Sequence, residues 1–413
     1  MDLRIRAMHW SSSPENRRGL DIQERDHRWK KIRQEMSKLG VDILVTMPQW
    51  MGEDSLYLAG EAGIVIFPLE GEPALLIGGE GSNRFLKQDG WIKDRGSATP
   101  RGSTRVAYGE ACARKLGEFN VGSKTVAIAG LGPSYLIQVR QPEGYINHVS
   151  YENIRNAIPQ AKIVDGTPIM AEARHEKSEA ELAIMRDAIS IAEACGRAVA
   201  KHAKPGAEQA EVFGQGLLEQ MRQRADDSMM SWCGGGWGEH KWRFTSPPPG
   251  LIQPSWYIGT EIGPTVQGYN CQISDPIVVG DIHPQAKDIW ELGKDSFVRL
   301  CELMKVGSTW GEIKPALQKL ETPKYKIELL VHGRGLGNEG PMLIPVDTHE
   351  PLRQIPLRPN STFIVKPYAY PAEGEYAHVT RSHDMTWGDT VVVTPTGAER
   401  LGTRPHEYLV GGA

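Results

Sequence analysis

Histidines and basic residues that could move protons or hold negative charge gather in the second half of this chain. His332 leads into a glycine-rich run, Gly333-Arg334-Gly335-Leu336-Gly337, whose small backbone would let an imidazole come close to a bound molecule. The segment Tyr376-Ala377-His378-Val379-Thr380-Arg381-Ser382-His383-Asp384 sets two histidines around an arginine, and His240, Lys241 and Arg243 form another basic group upstream. Trp232, Trp237, Trp242 and Trp256 are interleaved there with Gly234-Gly235-Gly236. Tryptophan supplies a large flat apolar surface suited to aromatic or cationic ligands. Each group also has a plainer use: a histidine satisfied within the structure, histidines on an exposed loop, tryptophans in a core or a dimer interface.

The scaffold that must position these residues reads as two parts. Glu24 to Leu39 has helical periodicity, Gly40 stops it, and Val41-Asp42-Ile43-Leu44-Val45 reads as a strand. Ile64-Val65-Ile66-Phe67, Ala74-Leu75-Leu76-Ile77 and Val126-Ala127-Ile128-Ala129 are further short apolar runs. Strands alternating with helical segments over residues 20–165 predict an α/β first domain, residues 1–170, with a mostly buried sheet. Ser178 followed three residues later by Glu181 is a capping box, opening a long amphipathic helix through Leu182, Met185, Ile189 and Ala192 that Lys204-Pro205-Gly206 closes. A helix over 207–224, a Gly/Pro-rich stretch, several strands, a helix over 285–304 and terminal strands complete a second domain, residues 171–413.

Composition narrows the function classes. With 413 residues, 40% hydrophobic content and a formal net charge of −4, the chain has the makeup of a globular protein and no basic footprint for nucleic acid or a membrane surface. The opening Met1-Asp2-Leu3-Arg4-Ile5-Arg6 is charged where a signal peptide needs an apolar core, and no apolar run approaches roughly 18 residues. A cytoplasmic location is expected. The five cysteines, Cys112, Cys195, Cys233, Cys271 and Cys301, lack C-x-x-C spacing and read as free thiols.

Five stretches together resemble one family. They are Arg174-His175-Glu176-Lys177-Ser178-Glu179-Ala180-Glu181-Leu182; Glu261-Ile262-Gly263 leading to Gly268-Tyr269; His332-Gly333-Arg334-Gly335-Leu336-Gly337; Ile364-Val365-Lys366-Pro367; and Asp389-Thr390-Val391-Val392-Val393-Thr394-Pro395-Thr396-Gly397. In this order they resemble the creatinase, prolidase and Xaa-Pro aminopeptidase family. The resemblance implies an α+β fold: a pita-bread C-terminal domain preceded by a smaller α/β domain. It also implies a homodimer.

That family places two aspartates, one histidine and two glutamates around two divalent cations. Here the first aspartate position holds Glu261, the second Gln272, the histidine position Arg334, and the two glutamate positions Lys366 and Gly388. Arg and Lys have no acceptor to offer and repel a divalent ion, so the resemblance implies a site with no metal and no other cofactor. Creatinase is understood to work without a metal by general acid–base catalysis. Around the same position the resemblance gathers Glu261, Asp275, His332 and His378 as candidate acids and bases. Arg243 lies where the family's substrate-side histidine is expected, with His240 close by.

Exchanging ligands for Arg334 and Lys366 turns a cation-binding cavity into one that favours an anion or a developing oxyanion. The reading that follows is a metal-independent lyase acting through Glu261, Asp275, His332, Arg334, Lys366 and His378. It would cleave a C–C or C–heteroatom bond of a small aromatic or anionic compound, for example by retro-aldol loss of a fragment such as formaldehyde. Substrate contacts would come from Trp237, His240, Trp242, Arg243, Gln272, Arg381 and His383. One alternative is a creatinase-like hydrolase of a C–N bond. Another is a non-catalytic binding protein in which Arg334 and Lys366 pair with Glu261 or Asp275.

Overall fold

The computed structural model describes residues 20–47, 53–78, 90–99, 107–132, 144–239, 246–337, 339, 342–343, 353–373 and 385–412. The chain divides into two compact units: residues 1–181 with 336–340, and 182–335 with 341–413.

In the first unit, helix α1 (Ile22–Leu39) starts where the Asp21 carboxylate accepts the Glu24 N–H at 2.9 Å. It ends at Gly40, whose φ of 63° only glycine adopts without strain. Strand β1 (Ile43–Thr46), helix α2 (Glu53–Ala59) and strands β2 (Ile64–Pro68), β3 (Ala74–Ile77) and β4 (Asp94–Ser97) follow. Helix α3 (Tyr108–Leu116), β5 (Thr125–Ile128), α4 (His148–Ala157), β6 (Lys162–Asp165) and α5 (Thr167–His175) complete it. The sheet runs β4-β3-β2-β1-β5-β6. β1 is antiparallel to β2 and parallel to β5. Every residue of β1, β2 and β3 is buried, which is why these strands read as unbroken apolar runs rather than alternating ones.

This unit also buries charge. The Arg174 guanidinium bonds Asp54 at 2.7 Å and Glu339 at 3.2 Å, and Lys177 pairs with the same Glu339 carboxylate. Each of these charges has an opposite partner, as burial requires. The Ser178 box forms reciprocally: Ser178 N–H donates to Glu181 at 2.8 Å and Glu181 N–H to the Ser178 hydroxyl at 3.1 Å. It opens α6 (Glu179–His202).

The second unit continues with α7 (Gln209–Arg222), β7 (Met230–Gly236), β8 (Trp256–Ile262), β9 (Thr265–Val266), β10 (Tyr269–Asn270) and β11 (Ile273–Val279). Then come α8 (Pro284–Leu303), α9 (Trp310–Gln318), β12 (Tyr325–Gly333), β13 (Gly335–Leu336), β14 (Met342–Leu343), β15 (Thr362–Pro371), β16 (Asp389–Val393), β17 (Ala398–Arg400) and β18 (Leu409–Val410). One sheet runs β18-β11-β8-β7 and another β14-β12-β15-β16-β17. A bridge between Ser274 and Gly388 ties them, with N–H to carbonyl bonds of 3.0 Å in both directions. Helix α8 packs its Trp290, Phe297 and Leu300 side into a core shared with Val331, Phe363, Val365 and Val391. Among the described residues no helix is long and apolar enough to cross a membrane.

Candidate active site

The second unit brings Glu261, Gln272, Arg334, Lys366 and Gly388 to one place. Glu261 stands on β8 opposite Ser274 of β11. Gln272 precedes β11 and is clamped there by Thr390, whose hydroxyl accepts the Gln272 N–H at 2.9 Å and donates to its carbonyl at 2.8 Å. Lys366 lies on β15 opposite Leu330 of β12. Arg334 follows β12, its N–H bonded to the Thr362 carbonyl at 3.0 Å and its own carbonyl accepting from the Thr362 hydroxyl.

The side chains close this group on itself. The Lys366 ammonium bonds the Glu261 carboxylate, and the Arg334 guanidinium donates one Nη to Asn270 Oδ1 and the other to Gln272 Oε1. Asn270 is held for this by its own amide nitrogen, which donates to the Gly263 carbonyl at 3.1 Å. All four of Glu261, Gln272, Arg334 and Lys366 are buried.

Gly388 explains how the lysine fits. A Cβ at this position would fall onto Lys366 Cγ, well inside 3.0 Å, with the Val365 carbonyl at 2.9 Å and Lys366 Cδ at 3.2 Å. The lysine stem occupies the volume that a side chain at 388 would need.

As ligands for a divalent cation these residues do not fit. The set offers two oxygen-bearing side chains, and a cation from the same set is bonded to each: Lys366 to Glu261, Arg334 to Gln272. A metal would have to displace both and then sit beside two fixed positive charges. Among the described residues no group of three or more His, Cys, Asp or Glu is placed to hold a metal ion.

His332 lies on β12 opposite Ile364, two residues from Leu330, so it shares a sheet face with Lys366. Its Nδ1 is 3.2 Å from the Gly333 carbonyl. Burial, reinforced by the charges of Arg334 and Lys366, pushes its pKa well below 6.5 and keeps the imidazole neutral at pH 7.

Asp275 is placed differently. Its carboxylate accepts from Arg404 Nε at 2.8 Å, while Arg404 Nη2 donates to the Gly388 carbonyl at 2.6 Å and Nη1 lies 3.0 Å from Asp389. The guanidinium sits 4.1 Å over the Trp387 ring. Burial disfavours this charge, but Asp275 and Asp389 outweigh it and hold the arginine ionised. Arg404 thus fixes the backbone at Gly388, a role no local motif announces. Asn270, Thr362 and Thr390 gave no local signal either: the partners that bring them into the site, Arg334 for the first two and Gln272 for the third, lie 64, 28 and 118 residues away in sequence.

Trp237 stacks on His283 at 5.8 Å, packs against Tyr257 and donates Nε1–H to Gln285 at 3.2 Å. Trp232 is fully buried and donates to Gln209 at 3.1 Å. His240, Trp242, Arg243, His378, Arg381 and His383 lie outside the described residues.

The neutral histidines set an acid limit on stability. His406, against Trp387 at 4.1 Å, is lowered to about 4, first by burial and then by Arg400, Lys294 and Arg404. The unfolded chain binds these protons near pH 6.5 and the folded chain does not, so stability is complete above that pH and is lost as pH falls towards about 4. Thermal melts across this range are expected to show a falling Tm, and His406→Gln is expected to flatten the decline.

Solved structures share this fold at low sequence identity. The X-Pro aminopeptidase of Thermotoga maritima superposes with a TM-score of 0.71 at 16% identity over 92% of this chain and 99% of that one. The prolidase of Pyrococcus horikoshii gives 0.68 at 17% over 92% and 99%. Zinc-substituted aminopeptidase P of E. coli in complex with product gives 0.67 at 15% over 92% and 94%. An uncharacterized hydrolase/peptidase of Sinorhizobium fredii is 37% identical over 70 residues, a match spanning 17% of this chain and only 18% of that protein. The architecture is therefore α+β, with a pita-bread C-terminal domain after a smaller α/β domain. The model of metallopeptidase family M24 matches residues 183–395, more than half of the chain, which is thus a divergent, creatinase-like member of metallopeptidase family M24.

Proposed function

We propose that this chain is a metal-independent enzyme that cleaves a bond of a small anionic, aromatic compound by general acid–base catalysis. The observation that carries the metal-independent part of the reading is the pair of contacts at the family's ligand positions, Lys366 to Glu261 and Arg334 to Gln272; the Lys366–Glu261 pair is shared with a non-catalytic binding protein, and turnover of an anionic substrate separates the two. Where relatives are expected to hold cations, this chain holds its own ammonium and guanidinium groups. In this reading they bind the anionic part of the substrate and stabilise the oxyanion that develops as the bond breaks. Neutral His332 takes the proton and, as the imidazolium, returns it, while Glu261 holds the Lys366 ammonium in place. Elimination and retro-aldol cleavage need only these parts, so we assign a lyase. Trp237, Trp242, His240, Arg243, Asp275, His378, Arg381 and His383 remain candidates for substrate contact or proton transfer. We also infer a cytoplasmic homodimer; free thiols at all five cysteines are in keeping with a reducing compartment.

A second reading, hydrolysis of a C–N bond with His332 activating water, is favoured by the relatives' names, all of which denote hydrolytic enzymes. Ligand-induced thermal shift separates the two. Aromatic carboxylates are expected to raise the Tm and guanidinium compounds to leave it unchanged, because Arg334 and Lys366 attract one class and repel the other. Stabilisation by guanidinium compounds alone would support the hydrolase, and no response to either class would overturn the lyase assignment.

A further inference from the structure

We propose that Lys366 is an amine nucleophile that forms an imine with the keto group of a 2-oxo acid, making the site a lysine-dependent retro-aldolase. This rests on the acid–base cleavage reading above and supplies its substrate class.

Three features support it. Gly388 leaves the lysine stem a place to lie, and this delivers Nζ to the Glu261 carboxylate rather than to solvent. At rest the Glu261 carboxylate favours the ammonium form; the same hydrogen bond is the path by which Nζ gives up a proton when substrate enters, leaving the amine with the lone pair that nucleophilic attack requires. The β12–β15 register puts residues 330 and 332 on one side with 364 and 366, so His332 stands on the face that carries Lys366. Arg334, two residues further along, supplies a guanidinium that suits the carboxylate beside a keto group once substrate displaces its resting bonds to Asn270 and Gln272.

The steps balance without an oxidant. Lys366 passes a proton to Glu261 and its lone pair attacks the keto carbon. Glu261 returns the proton to the carbonyl oxygen, and loss of water leaves an iminium ion. His332 removes the proton from a hydroxyl two carbons away from the iminium carbon. The bond between the two intervening carbons breaks, its electron pair passes into the iminium as an enamine, and an aldehyde departs. The enamine is protonated on carbon, and the water first released hydrolyses the imine, restoring Lys366 and freeing the shortened 2-oxo acid.

Reductive trapping of the full-length protein tests this. Pyruvate with cyanoborohydride is expected to leave a carboxyethyl group on Lys366, located by peptide mass spectrometry, before exposed lysines such as Lys38, whose side chain is 67% exposed, react detectably. Lys366→Met is expected to lose the adduct while keeping the slow background. Because the native protein is mapped directly, the result does not depend on that variant folding. Modification of Lys38 with Lys366 untouched would overturn the imine. That failure leaves proton-transfer cleavage standing, whereas a stoichiometric divalent metal in the purified protein would remove the reading beneath both.

Discussion

Lys366→Met is expected to lower the free energy of unfolding by about 3–5 kcal/mol, the range for breaking a buried ion pair from one side. Lys366 is 1% exposed and Glu261 6%, so removing the ammonium strands a carboxylate in a poorly solvated place. The loss comes less from the missing attraction than from the charge left behind. A second substitution, Glu261→Gln, should therefore recover much of the stability by replacing the stranded carboxylate with a neutral amide. The double-mutant cycle, read from urea midpoints at pH 7, is expected to show strong coupling between the two positions. A loss in Lys366→Met below about 1 kcal/mol, the scale of exposed ion pairs, would show that the contact carries little weight. Activity is expected to vanish in both the single and the double variant, so restored stability without restored activity would separate the structural from the catalytic use of the pair.

Gly388→Ala is expected to be nearly as damaging, although it adds a single methyl group. The new Cβ meets Lys366 Cγ inside the closest approach that real side chains show, and the Val365 carbonyl at 2.9 Å is backbone and cannot swing away. Overpacking of this kind costs about 1–3 kcal/mol or more. Combining it with Lys366→Ala is expected to relieve the part due to the lysine stem and to leave the part due to Val365. Chemical denaturation of the two singles and the double reads this directly; a Gly388→Ala protein as stable as the parent would mean that positions 366 and 388 are not packed against each other as described. Gly388→Glu, which restores the family's expected residue, should fail to fold while Lys366 is present. The lysine stem and any side chain at 388 compete for the same volume.

Much of the scaffold was legible in the sequence because its signals are local. The Ser178–Glu181 box, the Gly40 stop at φ 63°, and the apolar runs at 64–67, 74–77 and 126–129 each depend on residues within a few positions, and each falls where expected. The helices expected over 207–224 and 285–304 appear as Gln209–Arg222 and Pro284–Leu303. Residue types at the five ligand positions were also readable, and they sufficed to argue against divalent ligation. Their partners were not. Arg404 reaches Asp275 across 129 residues, Arg334 reaches Asn270 across 64, and Gly388 matters only for the lysine stem beside it. The sequence offered Asp275 as a candidate acid or base, or as a partner for Arg334 or Lys366; in the structure Arg404 engages it. Long-range pairing of this kind leaves no periodicity to read.

Lys366 and Arg334 put side-chain cations where a metal centre is expected for this family. Metal content of the full-length protein, expressed with manganese, cobalt, zinc and iron supplied and then desalted, tests this most directly. Elemental analysis is expected to find each metal far below stoichiometric, with activity towards an anionic substrate unchanged by a strong chelator. Two tightly held divalent ions per chain, with activity lost on chelation and restored by the metal, would contradict it.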